Sequence, residues 1–113
     1  MRKYRNIPVE VDGIRFDSRK EARRWSELKL LERAGEVTHL ERQVRFACRV
    51  DGHLICHWVA DFVFFDTRRE GPDGQVGCRV VEDVKSPITR KNPVYRIKKK
   101  LVEALFNVVI TET

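Results

Sequence analysis

A chain of 113 residues with 42% hydrophobic and 35% charged side chains is long enough to bury one core. It is too short for a second domain and too apolar to stay disordered. Lys and Arg number 23 against 17 Asp and Glu, and the resulting net charge of +6 favours a polyanionic partner. No apolar run approaches the roughly 20 residues of a membrane helix, and MRKYRNIPVE lacks the apolar segment of a signal peptide. A soluble, cytoplasmic protein with no membrane partner is expected.

In chain order, VEVDGIRFDS holds two short alternating runs joined by Asp12-Gly13, the residue types of a two-residue hairpin turn. Residues 1–17 are therefore expected to form a β-ribbon, with residues 18–113 as the remaining body of a single domain. Ser18 opens SRKEARRWSELKLLERAGE, where Ala22, Trp25, Leu28 and Leu31 recur at helical spacing and Gly35 suits a C-cap. This predicts a helix from about Arg19 to Ala34. QVRFACRV and HLICHWVADFVFF flank Asp51-Gly52, predicting a second hairpin with strands Val44 to Val50 and Leu54 to Phe65. The polar loop DTRREGPDGQVG turns the chain towards a third strand, Cys78 to Lys85, which ends at the Ser86-Pro87 break. NPVYRIKKKLVEALF then carries Val94, Ile97, Leu101 and Leu105 at helical spacing behind Pro93, and NVVITET closes the chain as a short strand.

The expected fold is α/β, a mixed β-sheet flanked by helices in the order ribbon-α-β-β-β-α-β. A strand, a crossover helix and a strand imply that the last two strands pair in parallel. Cys48, Cys56 and Cys78 contain no C-x-x-C pair, and His39, His53 and His57 form no spaced set, so neither a disulfide frame nor a zinc site is expected.

Several charged residues do not fit their surroundings. Asp61 interrupts a strand whose neighbours Trp58 to Phe65 are apolar on both faces, and a buried carboxylate there needs a cation, a donor set or a metal. In VVEDVKS, period two puts Asp83 and Lys85 on one face and Glu82 on the other. Taken alone, that face is better explained by an ordinary exposed ion pair. Glu21 projects between Trp25 and Leu28, yet SRKE also fits a capping box in which Ser18 and Glu21 satisfy each other's backbone amides. Lys98 projects among Val94, Leu101 and Leu105, where it either snorkels outward or reaches a site. Carboxylates from separate elements converge cheaply only around a cation, and an oxygen-only set suits Mg²⁺ or Mn²⁺.

Together, VDGIRFDSRKEARRWSELKLLERAGEV, ADFVF, VVEDVKS and YRIKKKL resemble the PD-(D/E)XK nuclease superfamily, especially its small phage-encoded members. The resemblance runs from Tyr4 to Leu105. It implies a restriction-endonuclease-like core in which Asp61 and Asp83 bind metal, with the Val84 carbonyl as a further ligand. Glu21 would complete the metal shell, as in phage and archaeal junction resolvases, and Lys85 would orient or activate the attacking water. Lys98 falls where later-helix residues of the superfamily touch phosphate. Glu82 competes with Asp83 as the ligand if the strand bulges. Ala60 stands where many members have proline. The implied activity is Mg²⁺-dependent hydrolysis of DNA, with branched DNA or junctions as substrate and a homodimer as a compatible assembly. A non-catalytic nucleic-acid-binding or interaction module on the same scaffold is the alternative. Arg19, Lys20 and Arg23 on the first helix, and Arg90, Lys91, Lys98 and Lys99 near the second, are the candidate phosphate grips.

Overall fold

Positive backbone φ at Asp12 and Gly13 (52° and 77°) closes the N-terminal hairpin of the computed structural model, which describes residues 7–71, 73–85 and 87–113. Strands β1 (Val9–Val11) and β2 (Ile14–Phe16) pair antiparallel, as the Asp-Gly turn predicts. Residues 1–6 of the expected ribbon, Tyr4 among them, and Ser86 of the expected strand break lie outside the described residues. Helix α1 (Arg19–Arg33) follows, with the Ser18 side chain accepting the Glu21 amide at 3.2 Å. At its far end the Glu36 amide reaches back to the Leu31 carbonyl and Gly35 adopts φ +79°, a glycine-terminated helix end.

Among the described residues the main sheet has four strands in the order β3-β4-β5-β6. Strands β3 (Val37–Val50) and β4 (His53–Glu70) form the second hairpin around Asp51-Gly52, and both exceed the predicted bounds. β3 begins seven residues earlier than Val44 because VTHLERQ, too polar to read as a strand, is held by the ladder to β4 with a register shift between Thr38 and Glu41. β4 runs on through DTRRE, which reads as loop by composition. Thr67 donates its amide and hydroxyl to the Glu36 carbonyl (3.0 and 2.9 Å), and the Asp66 carboxylate accepts from the Arg68 amide. Strand β5 (Val76–Asp83) is antiparallel to β4, and β6 (Ile110–Glu112) is parallel to β5, as the crossover predicts. β5 stops at Asp83, two residues short of Lys85.

Between β5 and β6 the chain forms a short helix α2 (Pro87–Arg90) and the longer α3 (Pro93–Phe106). The Asn92 side chain caps α3 by accepting the Val94 and Tyr95 amides. The expected core stripe of α3 is a correction: Val94 and Ile97 are 62% and 67% exposed, and Val102 is the side chain that is buried. Contacts away from the stripe set this rotation. Tyr95 hydroxyl donates to Glu112 at 2.9 Å, Glu103 accepts the Ile110 amide at 2.9 Å, and the Phe106 ring meets Phe46 edge-on at 5.0 Å.

Two apolar clusters cover the sheet. Phe16, Trp25 and Leu28 pack with Val37, Phe62, Phe64 and Val80 on the α1 side. Phe46, Trp58, Ala60, Val63 and Val81 pack with Val102 and Ile110 on the α3 side. Ala60 and Val63 thus share a side while Phe62 faces the other, so the alternation of β4 breaks at Asp61. The expectation of two continuous apolar faces also needs correcting, since Val59 and Phe65 are 39% and 38% exposed and Asp61 is half-buried.

Candidate functional site: carboxylates around the end of β5

The first turn of α1, the middle of β4 and the end of β5 bring Glu21, Asp61, Asp83 and Lys85 together. Asp83 is the innermost of them, with no exposure to solvent. Lys85, past the strand end, folds its Nζ back to 3.3 Å from Asp83 Oδ2, yet neither Asp83 oxygen takes a directed hydrogen bond among the described residues. Burial first, and then the neighbouring Asp61 carboxylate, push the Asp83 carboxyl up to about 7.

Asp61 is oriented by a backbone donor. The Val84 amide has left the strand ladder and gives its hydrogen to Asp61 Oδ2 at 2.8 Å. On the other side Gln43, absent from the sequence-based set, donates its side-chain amide to both Glu21 Oε1 (3.1 Å) and Asp61 Oδ1 (3.3 Å). Gln43 holds φ at +53°, unfavourable for a residue with a side chain. The competition for Glu21 is resolved by its two ends: the backbone amide uses Ser18, and the carboxylate turns to Gln43. Glu21 is buried, and burial with the charges of Asp61 and Asp17 raises its pKa.

Glu82 lies on the opposite, α1 side of β5. It is fully buried, and Arg24 grips it through two nitrogens, the second at 2.9 Å. No strand bulge turns it towards Asp61, and its role is a structural ion pair. Lys98 is not brought to the carboxylates; its charge acts on the Cys48 thiol beneath α3.

Among the described residues no group of three or more His, Cys, Asp or Glu is arranged to hold a metal ion. The donor set still fits magnesium, which keeps several waters and usually takes one or two carboxylates beside substrate phosphate rather than a closed protein cage. The two undonated oxygens of buried Asp83 are the open acceptors such an ion would need.

The family described as "Protein of unknown function (DUF1064)" matches residues 1–112. The chain belongs to that family. No curated protein and no solved structure matches it.

Four of the candidate basic residues of this DUF1064 member line two clefts. Lys20 and Arg23 line one of about 260 Å³ on the α1 side, where Lys20 Nζ also donates to the Lys85 carbonyl at 3.4 Å. Arg90 and Lys99 line another on the α3 side, whereas Arg19, Lys91 and Lys98 line neither. Tyr95, missed from the sequence, forms a wall of the second cleft and sets its ring 5.9 Å from Lys85 Nζ. Its amphipathic spacing gave no signal, because tyrosine reads as core. Among the described residues no helix is long and apolar enough to cross a membrane.

Proposed function

We propose that the protein is a metal-dependent endonuclease that hydrolyses DNA phosphodiester bonds on a PD-(D/E)XK core, selective for branched DNA such as junctions or flaps. The supporting observation is Asp83: buried, without a directed donor, and crowded by Asp61 and Lys85. Groups shifted by burial together with a specific charged neighbour cluster at functional sites. Mg²⁺ or Mn²⁺ would be held by Asp61 and Asp83, with Glu21 and the Val84 carbonyl completing the shell. When bound, such an ion polarises the phosphoryl group and acidifies a water.

The chain's own residues supply position and charge. The Val84 amide and Gln43 fix the two oxygens of Asp61. Lys85 stays beside the reacting centre as the cation that meets charge building on the phosphoryl oxygens, and the Tyr95 ring limits where it can swing. The basic surface grips phosphates without reading bases, which favours recognition of DNA shape.

The second reading, a DNA-binding module without catalysis, is favoured by one observation: Gln43 and Lys85 already tie the carboxylates together, with no three-carboxylate cage. One experiment separates the two. Labelled four-way junction, flap, duplex and single-stranded DNA are incubated with Mg²⁺, Mn²⁺ or EDTA, beside folded Asp83→Ala and Lys85→Ala variants. The nuclease reading expects metal-dependent cutting that each variant lowers by about 100-fold or more. Salt-sensitive junction binding without cutting in any metal selects the module.

A further inference from the structure

The cleft on the α3 side, about 220 Å³, opens between α2, the first half of α3 and the end of β6. Arg90, Arg96, Lys99 and Lys100 supply its positive charge. Its two acids are already occupied by the protein's own donors. Glu112 accepts from Lys99 at 3.0 Å and from the Tyr95 hydroxyl at 2.9 Å, and Glu103 accepts the Ile110 amide. The side chains of Arg96 and Lys100 have no ion pair or hydrogen bond among the described residues, and the Nε of Arg90 is buried without an acceptor. A buried guanidinium donor left without a partner costs free energy unless an anion meets it. Arginine forks match phosphate oxygens, and the cleft holds roughly the volume of seven waters, room for a phosphate group and a few waters but not for a stacked base pair.

Tyr95 joins this cleft to the carboxylate site, with its hydroxyl on Glu112 inside the cleft and its ring against Lys85 outside it. We infer that the cleft is a phosphate subsite taking the phosphodiester that adjoins the reacting one on the same strand, with Tyr95 standing between the two phosphates. This rests on the nuclease reading for which phosphate reacts, but the binding itself needs no catalysis.

The test is an NMR titration of the ¹⁵N-labelled protein with a ten-nucleotide oligothymidylate in EDTA, repeated on an Arg96→Gln/Lys100→Gln double variant and on Arg49→Gln in the distant hairpin. Shifts should gather on Arg90 to Lys100 and at Glu112. The double variant should bind about tenfold more weakly, with a salt slope reduced by about 0.7 for each lost phosphate contact, while Arg49→Gln stays within about twofold. Shifts that bypass the cleft, or a double variant that binds like the parent, overturn the inference. Seating in the cleft without cutting of any DNA in any metal would retain this subsite and sink the nuclease reading. Cutting that the double variant retains in full would do the reverse.

Discussion

Glu82 and Asp83 are neighbours on β5, equally removed from solvent, and treated in opposite ways by the two faces of the sheet. On the α1 face, Arg24 meets Glu82 with a two-nitrogen grip. On the α3 face, among the described residues, Asp83 meets the side-on approach of Lys85, a like charge nearby and the Tyr95 hydroxyl, whose pKa burial and the Asp83 charge raise. A fold that merely tolerated buried charge would pair both. Pairing one and leaving the other's oxygens open separates a structural carboxylate from one available for chemistry.

The largest expected effect probes the paired side. Arg24→Ala leaves Glu82 buried and unpaired, and should cost about 3–5 kcal/mol in urea denaturation. Asp83→Ala should cost far less. If both variants lose the same stability, the contrast between the faces collapses.

The pH dependence of stability sharpens the contrast. The folded state holds the Asp83 proton to about 7, above the usual 3.8, so its contribution is fully present below pH 3.8 and is lost as pH rises towards 7. Asp83→Asn should flatten that decline, worth on the order of 2–4 kcal/mol, when denaturation midpoints are compared from pH 4 to 8. A parallel decline in the variant would remove Asp83 as the cause.

Thermal shift with divalent metal comes next in size. At a hundredfold excess over its dissociation constant, Mg²⁺ or Mn²⁺ should stabilise the protein by about 2.7 kcal/mol, and Asp83→Asn should abolish the gain. Equal shifts in both proteins would place the ion elsewhere. The smallest effect concerns Gln43. Losing its bridge in Gln43→Ala should cost about 1 kcal/mol, and Gln43→Gly should cost less because glycine accepts φ +53° freely. Calorimetry on the pair distinguishes the amide's contribution from the backbone's.

What the sequence determined was local. Asp-Gly turns, the Ser18 and Asn92 caps, the α1 stripe and the presence of unusual charges at Glu21, Asp61, Asp83 and Lys85 all depend on residues a few positions apart, and these features recur in the structure. Only tertiary contacts settled the remainder. Polar VTHLERQ and DTRRE became strand because a partner strand and the Glu36 carbonyl satisfied them, and α3 turned Val94, Ile97 and Leu105 of its predicted stripe outward while Tyr95, Glu103 and Phe106 met partners of their own. That Glu82 is paired while Asp83 is left without a directed donor was likewise invisible, since the pairing depends on Arg24, 58 positions away. Gln43 bridges partners 22 and 18 residues distant, Glu21 and Asp61. Residue types and spacing carry the cost of burying a charge, but which charge finds a partner is decided by where separate elements meet.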